Sequence, residues 1–335
     1  MFPQMKQLPH LTSLAITSTV SYPCSLEHCP QFYNELTVNH HLVLQDIYLH
    51  FESSNYSQDQ YGTSLFENAH WPSLRRFTLK WGGTFFVQHI GVTGGSFSRF
   101  LARHVTIAAL WISASPLQFG VIEDGTLPNI QSIHIAWCEE DEPFPVPRQI
   151  SSRLTHFSTL TPRWSDISLY YGMKNLKDFY LVAKSPHIIC ALAEYLPLLE
   201  RLECRVSPKS DRFSLDIFRD EEVCVSIHSW LNYPYTKMQI DTYIEALSHF
   251  KALTHLAAFL SHESLSMDPY GHRFVPKLAN AIPTLSYIQL HDRTWVEIER
   301  DRNGKCVNFQ HIYWSKFRGR YWGLFYQGTQ CSTAW

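Results

Sequence analysis

Histidine, cysteine, glycine and the carboxylates are where chemistry would begin in this chain, and their spacing decides which kind. There are 18 histidines and 8 cysteines. Cys24, His28 and Cys29 fall close together, with His40 and His41 further on, and His134 stands four residues before Cys138. Zinc sites usually carry two short-spaced ligand pairs. Only the first cluster approaches that pattern, and these residues read as ordinary loop and core side chains, so neither a metal nor a cofactor is expected. The stretch "GVTGGS", Gly91–Ser96, is glycine-rich ahead of a helical pattern, the setting of a phosphate cradle at a helix N-terminus. It lacks the lysine and spacing of a nucleotide loop, and it reads as a strand-to-helix connection. The chain has no G-x-S-x-G nucleophile turn and no H-E-x-x-H. No catalytic residues and no enzymatic activity are expected.

Composition bounds the partners. The chain has 335 residues, 45% hydrophobic and 17% charged, with a net charge of −2. That is enough apolar matter for a continuous core, and too little positive charge for binding driven by phosphate neutralisation, so no nucleic-acid partner is expected. No apolar run reaches the ~18 residues of a membrane span, and "MFPQMKQLPHLTS" lacks the apolar stretch of a secretory signal. Eight scattered cysteines without C-x-x-C then read as reduced thiols, and the expected location is cytoplasmic or nuclear.

The elements that would position any site come from a repeat. "LPHLTSLAI" at Leu8 returns as "WPSLRRFTL" at Trp71, "LPNIQSIHI" at Leu127, "LPLLERLEC" at Leu196 and "IPTLSYIQL" at Ile282. The fourth residue serves as an anchor: Leu11, Leu74, Ile130, Leu199 and Leu285. Weaker copies lack the proline and have anchors at Leu44, Ile107, Leu176 and Leu253, with Leu154 marginal. From Leu11 to Leu199 successive anchors lie 33, 30, 33, 23, 24, 22 and 23 residues apart; the next interval is 54, room for a degenerate copy near Val223–Leu231. Each copy ends in strand-like alternation.

Helical stretches lie between. "SFSRFLARH" has Ser96 as a candidate N-cap, and "SPHIICALAEYL" has Ser185 as N-cap with Pro186 at the first helical position. "TYIEALSHF" offers a capping box from Thr242 to Glu245. In "HRFVPKLANAI", Pro276 belongs in a first turn. Units of this size cannot bury their apolar side alone, and stacking lets each cover the next. The expected fold is α/β: a leucine-rich-repeat solenoid of about ten units, a horseshoe with a parallel concave sheet and outer helices.

The polar positions between the strand leucines share the inner sheet face. That face collects Tyr48, Arg76, Lys80, Trp111, His134, Tyr180, Arg201, Arg205, Phe259 and Tyr287. Aromatic residues and arginine dominate protein–protein hot spots, so these ten are the candidate partner-binding residues. The alternative is that loops or the tail cover the aromatics as extra core. The acidic, proline-rich "CEEDEPFPVPRQ", Cys138–Gln149, reads as an exposed loop inside the array.

The C-terminus differs. "WVEIERDRNGKCVNFQHIYW" alternates on both sides of Asn303-Gly304, a two-residue hairpin signal. The expected division is 1–294 for the repeats and 295–335 for a hairpin cap and a basic, aromatic tail.

The "LPxLxxLxL" strands, the "FLARHVTIAALWI" helix-to-strand unit and the tail "WVEIERDRNGKCVNF" resemble the divergent leucine-rich repeats of F-box proteins, the fungal, mushroom-type members most. The resemblance runs from about Leu8 to about Phe309. It implies the substrate-holding half of a cullin–RING ubiquitin-ligase receptor, whose F-box of about forty residues binds a small adaptor. The stretch before Leu8 is too short for an F-box, so adaptor binding is expected only with one encoded upstream. The other expectation is a stand-alone repeat scaffold.

Overall fold

The computed structural model describes residues 10–20, 43–53, 66–82, 94–113, 122, 125–135, 148–159, 167–183, 186–206, 237–257, 272–291 and 294–313. The chain divides into two compact units, Met1–Arg163 and Trp164–Trp335.

The first unit carries β1 (Ser13–Val20), β2 (Asp46–Ser53), β3 (Arg76–Gly82), β4 (Ala109–Ser113), β5 (Ser132–Ile135) and β6 (His156–Thr159), each paired in parallel with the next. The second carries β7 (Asp178–Ala183), β8 (Arg201–Val206), β9 (His255–Ala257) and β10 (Tyr287–His291), also parallel in chain order. It ends in an antiparallel pair, β11 (Thr294–Arg300) and β12 (Cys306–Tyr313). The described helices include α1 (Gly94–Arg103), α2 (Arg148–Ser151), α3 (Pro186–Tyr195), α4 (Lys237–Leu247) and α5 (Phe274–Ala281), with a 3-10 helix at Ile167–Gly172.

Every anchor from Leu44 to Leu285, the marginal Leu154 included, has 0% exposure. The proline of the repeat has a physical reason. The anchor N–H closes a turn onto the carbonyl three residues back: Leu74 to Trp71 at 2.9 Å, Ile130 to Leu127 at 3.2 Å, Leu199 to Leu196 at 3.2 Å, Leu285 to Ile282 at 3.0 Å. Pro72, Pro128, Pro197 and Pro283 therefore sit at the second turn position, where the fixed φ of proline is already correct. Ile107, Leu154 and Leu176 make the same turn without it.

The residue after each anchor then sets the register. The carbonyl of Gln45 accepts the N–H groups of both Arg75 and Arg76, and Arg75, Ala108, Gln131, Lys177, Glu200 and Thr254 repeat this toward the next rung. Side chains just before the anchor add a second ladder. Thr106 donates to the Leu74 carbonyl at 2.8 Å, Asn129 to Val105 at 2.9 Å, Arg153 to Pro128 at 3.1 Å and Thr284 to Leu253 at 2.7 Å. After the last repeat Arg300 of β11 takes this part, donating to the Ile282 and Leu285 carbonyls at 3.1 and 2.8 Å. Turn carbonyls that would otherwise be orphaned are thus satisfied.

The core lies on one side of each sheet. In the first unit Phe66, Trp71, Phe77, Phe97 and Phe100 are all buried, with the Phe77 and Phe100 ring centres 4.9 Å apart. Helix α1 thereby packs on the side opposite the polar strand positions.

Four expectations are corrected. Strand β8 pairs directly with β9, Arg201 opposite His255, so no degenerate copy from Val223–Leu231, which lies outside the described residues, forms a rung between them. Helix α1 begins at Gly94, which puts Ser96 inside its first turn, and α4 begins at Lys237, which puts Thr242 in its middle. Packing of α4 between α3 and α5 extends it beyond the local capping signal. Finally, the hairpin loop is longer than Asn303-Gly304. Asp301 and Lys305 close it, and Gly304 takes φ +78° after a turn whose Gly304 N–H meets the Asp301 carbonyl at 3.0 Å. The Asp301 carboxylate accepts the Asn303 and Lys305 N–H groups at 2.8 and 2.9 Å, which favours this three-residue form. Pro186 and Pro276 do occupy first helical turns.

Candidate functional site

The register aligns the polar strand positions into rows. In the first unit, two residues after each anchor, Ser13, Asp46, Arg76, Ala109, Ser132 and His156 stand side by side. The next row is Ala15, Tyr48, Thr78, Trp111, His134 and Ser158, and beyond it His50 stands opposite Lys80. Neighbouring strands are ~4.8 Å apart, so row members touch.

Four predicted residues meet here. The Lys80 ammonium lies 5.7 Å from the Tyr48 ring centre and 5.3 Å from that of Trp111, within cation–π range of both. Trp111 in turn packs on His134, ring centres 3.8 Å apart. Thr78, small, stands between Tyr48 and Trp111. Tyr48, Thr78, Lys80 and Trp111 are half-buried, whereas His134 and its flanking Ser132 and Ser158 are buried. The accessible part of the Tyr48 row is therefore on β1–β4. Burial, with the Lys80 charge nearby, pushes the His134 imidazole down to about 3, so it is a neutral platform for the indole and not a cation.

Arg76 is committed to Asp46 through a bidentate fork at 2.5 and 2.7 Å, with Ser13 donating to the same carboxylate at 3.0 Å. That fork holds the Asp46 carboxyl below its usual range and raises Arg76. Even so, the Arg76 side chain is 52% exposed and can still meet a partner.

In the second unit the first row is Asp178, Arg201, His255, Tyr287 and Glu297. Asp178 and Arg201 form the same fork, but at 11% and 15% side-chain exposure it is largely buried. Arg201 is thus tied into the sheet. His255, pushed down to about 4 by burial and then by the Arg201 charge, stacks on Tyr287 with ring centres 4.7 Å apart. The Tyr287 hydroxyl donates to Glu297 at 3.0 Å, and Tyr287 packs on a cluster of Ala257 and Trp295. Trp295 was absent from the predicted set; its alternation within the hairpin was the only signal. Tyr180 is half-buried in the second row, beside Glu203. The Arg205 side chain and Phe259 lie outside the described residues, as do Cys24, His28, Cys29, His40, His41 and Cys138. Among the described residues no three His, Cys, Asp or Glu side chains come together as a metal site would need, and no helix is long and apolar enough to cross a membrane.

One buried histidine lies on the opposite side. His104 occupies the turn position that Trp71, Leu127, Met173, Leu196 and Ile282 fill in other repeats. Its Nε2 accepts the Trp71 N–H at 2.8 Å, so Nδ1 carries the proton and donates to the Phe100 carbonyl at 2.7 Å. Burial pushes its pKa down to about 4.

Among solved structures the chain is similar to the leucine-rich repeat-containing protein LegL7 from Legionella pneumophila, at 13% identity, over 89% of this chain and 93% of that one, with a TM-score of 0.35. No protein-family model and no curated protein matches the sequence.

Proposed function

We propose that this protein is a non-enzymatic recognition module, a leucine-rich-repeat horseshoe that holds a protein partner on its inner sheet face. The observation that carries this reading is the half-exposed run Tyr48, Thr78 and Trp111 with Lys80 between the rings. A sheet face without a binding role has no need of a tryptophan and a tyrosine at water's edge, whereas interface centres are rich in them. Rung hydrogen bonds hold the three strands, so binding would order little that is not already ordered.

The resemblance to F-box repeats supports a more specific reading: the substrate-holding half of a ubiquitin-ligase receptor, acting in the cytosol or nucleus. In that reading β11 and β12 close the array, with Arg300 on the last turn. The test is to purify the tagged protein from its own cells, map its true start and identify co-purifying proteins by mass spectrometry. Recovery of the ligase adaptor and cullin is expected. Other reproducible partners without ligase would make the protein a stand-alone scaffold, and enrichment of nothing over a tag-only control would sink the recognition reading itself.

A further inference from the structure

We propose that His104 is a proton-operated latch: in acid it releases the end of helix α1 from the segment Phe66–Trp71, while the rungs β3 and β4 stay paired. The latch lies on the side of the first unit away from the inner face, and it works whatever that face holds.

Two neighbouring side chains at the end of α1 reach back 33 to 37 residues to the same segment. Arg103 donates to the Phe66 carbonyl and, at 3.5 Å, to that of Ala69. His104 accepts the Trp71 N–H on Nε2 at 2.8 Å and donates from Nδ1 to the Phe100 carbonyl at 2.7 Å. The two prongs differ in chemistry. A guanidinium keeps its charge and its donors throughout the pH range of a folded protein. An imidazole accepts only while neutral, so the bond from Trp71 exists in one protonation state alone.

The surroundings oppose the charged ring. His104 is buried against Phe100 and Trp71, with ring centres 4.2 and 5.8 Å away. His70, its ring centre 5.9 Å away, and Arg103 both act against a positive charge there. Glu67 and Arg99 complete the cluster: the Glu67 carboxylate pairs with Arg99 at 3.8 Å and attracts Arg103. A second ring proton turns the acceptor into a donor that faces the Trp71 N–H, and both donors are then stranded in a buried site.

The backbone ladder does not share this dependence. The Arg75 carbonyl accepts the Ala108 and Ala109 N–H groups at 2.8 and 3.0 Å, and β3 pairs with β4 from Arg76 to Lys80. These bonds join backbone groups that do not titrate, so the opening is local. Protons bind the open form more tightly than the closed one, and opening is therefore favoured as pH falls. With the ring held down to about 4 when closed, against 6.5 when open, the open fraction rises about twentyfold between pH 7 and pH 5.

The test is hydrogen–deuterium exchange of the full chain, read by mass spectrometry at pH 7 and pH 5 and corrected for the intrinsic pH dependence of exchange. Peptides covering 66–71 and 97–104 should together lose about twentyfold in protection at pH 5. They should exchange faster than β3 and β4 and respond little to low urea, because a local opening exposes little surface. His104→Gln, which accepts but cannot titrate, should abolish the acid step. Arg103→Gln should speed exchange at both pH values and leave the step in place. Exchange of these segments at the same rate and urea dependence as β3 and β4 would overturn the latch in favour of whole-unit unfolding. No acid step, or a step that persists in folded His104→Gln, would also overturn it. A measurement without any variant adds a further check: the spectrum of ¹⁵N-histidine-labelled protein at pH 7 should show His104 protonated on Nδ1, and a proton on Nε2 would overturn the proposal.

Discussion

Acid should loosen the first unit through one side chain whose contribution can be worked from its hydrogen bonds. His104 accepts from the Trp71 N–H and donates to the Phe100 carbonyl, so both ring nitrogens are used and only the neutral ring fits. A second ring proton would face the Trp71 N–H. His70, with its ring centre 5.9 Å away, and the adjacent Arg103 add like charge when His104 becomes cationic. The folded protein holds the imidazole at about 4, against 6.5 for an open one. Above about pH 6.5 both folded and unfolded chains are neutral here and nothing is gained or lost. Below it the unfolded chain binds a proton that the folded chain refuses, so stability falls with pH until the folded ring also titrates. Between about pH 7 and pH 5 the loss from His104 alone is about 2 kcal/mol, approaching about 3 kcal/mol once both states are protonated. His134 and His255, also buried and depressed, act in the same direction. The assay is urea unfolding followed by tryptophan fluorescence across this pH range, for the natural protein and for His104→Gln, which keeps an acceptor but cannot titrate. The variant should lose about 2 kcal/mol less on acidification. Equal losses in the two proteins would refute the buried neutral ring.

Three further outcomes follow from the packing. Asp178→Ala should cost about 3–5 kcal/mol because it removes the fork from a largely buried Arg201, whereas Asp46→Ala should cost no more than about 1 kcal/mol because its fork is open to water; comparable losses in urea melts would contradict the assigned burial. Leu154→Ala should cost about 2–5 kcal/mol, like any fully buried leucine, and a loss under about 1 kcal/mol would remove β6 from the set of rungs. Gly304→Ala meets nothing within 4 Å, so only its positive φ resists; a fall in thermal stability of about 1 kcal/mol is expected, and none at all would mean the loop takes another turn.

The rungs were legible because anchor burial demands Leu or Ile at a fixed distance from the strand, and the turn before it favours proline. Even the weak copy at Leu154 obeys this rule. The 54-residue interval was not legible in the same way. A degenerate repeat could not be told from other apolar chain there, and only the hydrogen bonds from Thr254 and His255 to the Glu200 carbonyl show that β8 and β9 are adjacent rungs. Of the site, alternation placed Tyr48, Lys80, Trp111 and His134 on one face. What alternation does not reveal is which neighbours neutralise one another. The signal was nevertheless present: Asp46 and Arg76, like Asp178 and Arg201, each stand two residues after successive anchors, and a parallel in-register sheet brings such pairs together. Burial of His104 was legible too, from its place three residues before Ile107, where other repeats put an apolar side chain.

The central claim is that the β2–β4 face holds a protein partner. Its most direct test is quantitative co-purification from the protein's own cells, comparing the natural chain with folded Trp111→Ala and Lys80→Glu variants expressed at equal level. The account predicts a discrete set of partners depleted at least tenfold by both substitutions, with the rest unchanged. An identical partner set in all three proteins would contradict it.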